Sequence, residues 1–187
     1  MSIQDITVII TSFRSGTKIK NCIQSIDKQI RVILVENSND LEFKKNIEKE
    51  FDNVECILTG ANLGYGRANN IGLKIVRTKY ALILNPDTTL HNDAIENFLK
   101  VTQKIREFAI IGPYIQEEKN YKEKNNFDDL TAVPVINVKG FAMFLNLSEF
   151  KDIGFFDEIF FFYFEEIDLC KRLVNQGKKI YLVPDII

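Results

Sequence analysis

An acid placed directly after an apolar strand can hold a divalent cation against substrate phosphates, and Leu82-Ile83-Leu84-Asn85-Pro86-Asp87 offers one in Asp87. Mg2+ or Mn2+ held in this way needs only one or two protein carboxylates. The same residues spell a β-turn with Pro86 at its second position, and the sequence leaves the two readings level. A second acidic cluster lies far along the chain, in Phe162-Tyr163-Phe164-Glu165-Glu166-Ile167-Asp168-Leu169-Cys170. Carboxyl groups among aromatic rings can be pushed towards neutrality and serve as general bases for a hydroxyl proton. Helical spacing puts Glu165 and Asp168 on one face and turns Glu166 elsewhere, while Asp168 and Arg172 stand at i,i+4, as a helix-face ion pair would. Acids at a helix start also suit the helix dipole without any catalytic part.

Polar residues gather in the loops that follow apolar runs: Thr11-Ser12-Phe13, Glu36 to Asp40, Asn62 to Asn70 and Asn85 to Thr88. Phe13, Glu36 and Asn37 could give a nucleotide base an aromatic surface and directional partners, although turn and cap chemistry accounts equally for Asn37 to Asp40. Gly64-Tyr65-Gly66-Arg67 could admit a diphosphate at a helix N-terminus, with Arg67 forking onto its oxygens. This is not a dinucleotide fingerprint, since it follows the third strand and lacks the G-x-G-x-x-G spacing. Ser15-Gly16-Thr17-Lys18 is likewise not a P-loop. The single histidine, His91, sits in a cap-like stretch with no nucleophile signature near it, which argues against Ser-His-Asp or Cys-His chemistry.

The elements that must position these residues are legible from periodicity. Strands are expected at Ile6 to Ile10, Val32 to Val35, Val54 to Leu58 and Tyr80 to Leu84, and the pattern changes after Ala109 to Ile111. Helices are expected at Thr17 to Lys28, Leu41 to Phe51, Tyr65 to Val76 and Asp93 to Ile105. Apolar strands interleaved with amphipathic helices imply an α/β, Rossmann-like fold with a mostly parallel sheet covered on both faces, and ligands of such sheets bind beyond the carboxyl ends of the strands. Gln116 to Asp129 is polar and aperiodic and reads as a surface loop. Beyond it come a β-rich segment at Val135 to Leu145, a short helix at Ser148 to Asp152, a Phe-rich turn, a helix from Glu165 to Gln176 with Gly177 at C′, and a strand at Lys179 to Val183.

At 187 residues, 45% of them hydrophobic, the chain suits one domain with a sizeable core. A net charge of −2 provides no general field for nucleic acid or anionic lipid. The three cysteines are far apart and without a C-x-x-C pair, so they read as small buried hydrophobes of a reducing, cytoplasmic compartment. The N-terminus lacks a secretory pattern, and no apolar run approaches the roughly 20 residues of a membrane span.

Taken in order, Val35 to Asp40, Asn62 to Gly72, Leu84 to Thr88 and Gly154 to Arg172 resemble the motifs of family 2 glycosyltransferases, especially the rhamnosyltransferase-like branch, across essentially the whole chain. The resemblance implies a GT-A fold, with residues 1–112 as a nucleotide-sugar-binding half and 113–187 as an acceptor-binding half. It implies that Thr11, Phe13, Glu36 and Asn37 hold the nucleoside and that Arg67, Asn69 and Asn85 line the donor site. Asp87 would hold the metal, Mg2+ or Mn2+, on the diphosphate, and Glu166 would be the base that takes the acceptor proton, with inversion at the anomeric carbon. Gly140, Glu165 and Asp168 would belong to the acceptor side. Glu36 and Glu166 each stand where the family usually has the shorter Asp. The chain stops at Pro184-Asp185-Ile186-Ile187, where family members usually run on to a metal-binding histidine and further acceptor-site helices, so the acceptor half is expected to be incomplete.

The implied partners are a nucleotide-diphosphate sugar and a saccharide or lipid-linked saccharide acceptor, in cell-surface polysaccharide or glycolipid synthesis. Peripheral association with the inner face of a membrane is compatible with this reading. So is self-association through an exposed edge of the last strand and the aromatic surface around Phe160 to Phe164. Two other readings compete: a nucleotide-sugar-binding domain without turnover, which predicts donor binding alone, and a nucleotidyltransferase, which predicts dependence on a nucleoside triphosphate.

Overall fold

The computed structural model describes residues 2–105, 107–114 and 130–183. The surface loop expected at Gln116 to Asp129 lies outside the described residues.

Among the described residues, eight strands form one sheet: β1 (Ile6–Ser12), β2 (Arg31–Glu36), β3 (Val54–Leu58), β4 (Tyr80–Leu84), β5 (Ile110–Pro113), β6 (Val133–Val135), β7 (Ala142–Asn146) and β8 (Ile180–Val183). Five α-helices accompany them among the same residues: α1 (Lys18–Gln24), α2 (Leu41–Glu50), α3 (Tyr65–Ile75), α4 (Ala94–Lys104) and α5 (Glu165–Asn175). The strand order is β3-β2-β1-β4-β7-β5-β8-β6. Pairs β1–β2, β2–β3, β1–β4 and β5–β8 are parallel, whereas β7 runs antiparallel to β4 and β5, and β6 antiparallel to β8. The sheet is therefore mostly parallel, as expected, with two reversed strands.

The last strand is not an edge, contrary to expectation, because β8 is flanked by β5 and β6 and its backbone is paired on both sides. The edges are β3 and β6.

Alternation along the strands explains the two layers of helices. Ile6, Val8 and Ile10 of β1, with Leu82 and Leu84 of β4, face a core closed by α1, α2 and α4 through Ile19, Ile23, Ile47 and Phe98. Ile9 and Ile83 face the opposite core, closed by α3 and α5 through Ala68, Leu73, Leu169 and Leu173. Every residue of β1, β4 and β7 is buried, so their sequences are mainly apolar with no in–out alternation. The three cysteines are free and buried. Burial, and secondarily the Asp87 carboxylate, push the Cys22 thiol up to about 12, so it is inert packing. No helix among the described residues is long and apolar enough to cross a membrane.

Register brings the polar residues together. Ile10 pairs with Leu84, so Thr11 and Asn85 emerge side by side where β1 has β2 on one flank and β4 on the other, the point at which strand order reverses. The reversed strand β7 pairs Ala142 with Leu84, and its entry therefore delivers Gly140 and Phe141 to the same edge.

Candidate active site

At that edge lies a cleft of about 580 Å³, lined from the first half by Thr11, Phe13, Asn37, Tyr65, Asn85 and Asp87 among others, and from the second by Gly140, Phe141, Phe161, Phe162, Tyr163, Glu165 and Glu166. Thr11, Phe13, Asn37, Asn85, Asp87, Gly140, Glu165 and Glu166 are thus brought together from the set that the sequence singled out.

Four others are not among its lining residues, and each has an internal occupation. Glu36 is buried and its Oε1 accepts from Ser38 Oγ at 2.8 Å. Arg67 lies against Glu158, Nε to Oε2 3.4 Å. Asn69 is fully buried in α3 and its Nδ2 donates to the Tyr65 carbonyl one turn back, at 3.1 Å. Asp168 accepts from Arg172 Nε at 2.7 Å, and the same guanidinium donates to the carbonyls of Ile153 and Phe155. That ion pair clamps the Gly154-Phe155 turn to α5. The face argument for the acids also needs correction: Glu165 and Glu166, not Glu165 and Asp168, share the cleft, because it lies beyond the N-terminus of α5 and both first-turn residues reach it.

The loop from Thr59 to Gly64 is held by one side chain. Asn37 Nδ2 donates to Asn62 Oδ1 and to the Gly64 carbonyl, both at 3.0 Å. Its Oδ1 accepts from Leu63 N at 2.8 Å and from Thr59 Oγ1 at 3.2 Å. With both hydrogens and the carbonyl oxygen engaged, Asn37 shapes the cleft wall and has little left to offer a ligand. The diphosphate reading of the Gly64 loop meets a similar obstacle. Gly64 N donates to Asn62 Oδ1 and Tyr65 N to the Phe161 carbonyl, so two of the amides at the α3 entry, those of Gly64 and Tyr65, are committed internally.

Gly64 itself has φ +82°, and a Cβ there would stand 2.1 Å from the Phe161 carbonyl oxygen. Only glycine lets the α3 entry lie this close to the aromatic segment. That segment divides on folding. Phe156 is core, whereas Phe161, Phe162 and Tyr163 are 58%, 57% and 66% exposed and stand at the cleft rim. Tyr163 and Phe164 both adopt positive φ, which throws the chain outward before α5 begins.

Asp87 closes the other side. The Thr88 amide donates to the Asn85 carbonyl at 3.1 Å, so the turn reading is right, and the turn is what presents Asp87. Asp87 is half-exposed, with Lys18 Nζ 3.8 Å from its Oδ2. Among the described residues no group of three or more His, Cys, Asp or Glu could hold a metal unaided. One accessible carboxylate at a cleft mouth nevertheless suits a cation whose remaining ligands are phosphate oxygens and water.

Glu165 is the buried acid of the cleft. It is 5% exposed, its Oε2 has no hydrogen-bond partner, and burial, with a smaller push from Glu166, raises its pKa. Thr11 Oγ1 is another buried polar atom without a partner, on the opposite wall. Unsatisfied polar atoms on two walls of one cleft are what a site awaiting a polar ligand presents. Tyr65 and Asn62 were quoted in the sequence motifs without a role, and their part depends on contacts between distant segments that spacing does not reveal; the Phe161 to Tyr163 rim belongs to the aromatic surface expected around Phe160 to Phe164.

The sequence pattern of Glycosyl transferase family 2 matches residues 7–170. The low-salt glycan biosynthesis hexosyltransferase Agl10 of Haloferax volcanii is 28% identical over 95% of this chain, and rhamnosyltransferase WbbL of Escherichia coli is 25% identical over the same share. The chain spans 64% of the length of the first and 80% of the second. Among solved structures, the mannosyltransferase PcManGT of Pyrobaculum calidifontis, in complex with GDP-Man and Mn2+, superposes with a TM-score of 0.79 at 12% identity, over 97% of this chain and 55% of that one. A match over most of the chain, joined to a GT-A sheet with its cleft at the switch point, places this protein in glycosyl transferase family 2.

Proposed function

We propose that this cleft transfers a sugar from a nucleotide-diphosphate donor to a hydroxyl of a saccharide or lipid-linked saccharide acceptor. The observation that carries the reading is the convergence, in one cleft, of Asp87 and Phe13 from the first half with Glu166 from the second. Phe13 offers a half-exposed ring with the Arg14 guanidinium 5.3 Å from its centroid on one side, leaving a surface for a base. Thr11 lines the same cleft and its buried Oγ1 has no hydrogen-bond partner.

Glu166 takes the proton of the acceptor hydroxyl. The freed oxygen bonds to the anomeric carbon as the bond to the diphosphate breaks, and the diphosphate leaves with the electron pair. Attack from the face opposite the leaving group inverts the anomeric centre. Asp87 is the residue that would hold Mg2+ or Mn2+, which when bound neutralises charge gathering on the departing diphosphate. The exposed rings of Phe161, Phe162 and Tyr163 give the acceptor's apolar surface a place to lie beside the base.

The test is turnover of a panel of UDP-, dTDP- and GDP-sugars, in transfer and in donor hydrolysis, by wild type and Glu166→Gln. The reading predicts turnover with one donor class and a loss of at least about a hundredfold in the variant, within the range that general bases contribute. Equal turnover by the two proteins would remove Glu166 from the mechanism. Donor binding without turnover by wild type would leave a binding domain.

A further inference from the structure

Tyr65 has no part in the chemistry above, yet it joins two segments that line the cleft, the Gly140 loop and the aromatic rim. Its Oη donates to the Gly140 carbonyl at 2.5 Å, and its backbone N donates to the Phe161 carbonyl at 3.1 Å. Its ring lies edge-on to Phe156, with centroids 5.8 Å apart and planes at 75°. Gly140 is the junction. A Cβ there would lie 3.7 Å from Tyr65 Oη and 3.7 Å from both Cβ and Cγ of Glu166, so the Gly140 Cα faces both the phenol and the side chain of the base. The next residue, Phe141, accepts at its carbonyl from Asn85 N at 2.8 Å and Thr88 Oγ1 at 3.4 Å, which anchors the turn presenting Asp87.

Resting on the transfer reading above, we propose that Tyr65 is a positioning residue: its hydroxyl pins the Gly140-Phe141 segment, and through that segment fixes the Glu166 carboxylate relative to the Asp87 turn. The phenol cannot act as an acid or base in this arrangement. Its proton is spent on Gly140, and burial, followed by the nearby Glu165 and Glu166, holds its pKa well above the usual tyrosine range. Its role is geometric, and a shift of about 1 Å in a reacting group costs on the order of a hundredfold in rate.

Tyr65→Phe tests this, because it keeps the ring and its contact with Phe156 and deletes only the hydroxyl. Two readouts are expected. Backbone hydrogen exchange at residues 139–142 should quicken about three- to tenfold, the range set by losing one hydrogen bond, with the α3 amides unchanged. Turnover should show kcat down by at least about tenfold with the donor KM within about twofold, the split expected when a transition-state interaction is lost and ground-state binding is kept. A second variant, Tyr65→Leu, also removes the ring. The proposal predicts a similar kcat loss for both variants, with a larger fall in melting temperature for Leu, which also loses the ring contact with Phe156. Wild-type kcat in Tyr65→Phe with a low kcat in Tyr65→Leu would overturn the proposal, as would unchanged exchange at 139–142. If wild type turns over no donor, the transfer reading fails by itself, and the exchange measurement, which needs no substrate, still decides for or against the bracket.

Discussion

Replacing Gly64 with alanine should disable the site far more than it destabilises the fold. The new Cβ would stand 2.1 Å from the Phe161 carbonyl oxygen, where real Cβ contacts begin at 3.0 Å, so one of the two backbones must retreat by about 0.9 Å. Gly64 also holds φ +82° and ψ 177°, a region closed to side chains, which costs on the order of 1–3 kcal/mol. The retreat is expected on the Phe161 side. Gly64 is tied to Asn37 through its carbonyl and to Asn62 through its amide, whereas Phe161 to Phe164 are exposed. Displacement there passes directly into Glu165 and Glu166 at the start of α5. A shift near 1 Å at the base predicts a kcat loss of about a hundredfold. For a chain of this size the stability cost corresponds to a melting-temperature drop of about 2–12 °C. The assay is steady-state turnover alongside thermal unfolding. A kcat within threefold of wild type in a folded variant would refute the argument that this close approach sets the position of the acids.

Other expectations follow from individual contacts. Asn37→Ala should cost about 2–4 kcal/mol in urea unfolding, since it strips the buried Gly64 carbonyl of one partner and the Leu63 amide of another. Arg172→Ala should cost about 2–4 kcal/mol by freeing the Gly154-Phe155 turn and leaving Asp168 unpaired, a loss seen equally in urea midpoints. Glu165 has a folded-state pKa raised by burial, so the native state binds its proton more tightly than the unfolded chain. Its stabilising effect is complete below the unfolded value near 4.5 and is lost as pH rises through the folded value. The stability difference between Glu165→Gln and wild type should therefore grow in favour of the variant from pH 4.5 upward, and a pH-independent difference would contradict the burial argument.

How far the sequence could be read depended on whether a residue's role is local. Helix and strand positions were legible because apolar periodicity is local: β4 is found at Tyr80–Leu84 as expected, and α3 ends within one residue of its expected end. The helix expected at Thr17 to Lys28 is shorter, Lys18–Gln24, because Asp27 turns the chain through its own carboxylate and carbonyl, accepting from Gln29 N and Ile30 N. The reversal of β7 was not legible, since a strand buried on both faces has the same pattern whichever way it runs. Asp87, Gly140 and Glu166 could be anticipated from motif resemblance, and the structure gathers them in one cleft. The Asp168–Arg172 ion pair was legible at i,i+4, whereas the Glu158 partner of Arg67 was not, because it comes from a segment far along the chain that meets α3 only on folding. The aromatic surface expected around Phe160 to Phe164 is exposed, whereas its place at the cleft rim depends on the positive φ of Tyr163 and Phe164, which composition does not reveal.

The most direct test of the central claim is calorimetric titration with UDP, dTDP and GDP, each with and without Mn2+, on wild type and Asp87→Ala. A nucleotide-sugar site at this cleft predicts that one diphosphate binds wild type in a metal-dependent manner and that Asp87→Ala abolishes the metal-dependent part. Failure of all three diphosphates to bind wild type, or metal-dependent binding that survives in Asp87→Ala, would contradict it.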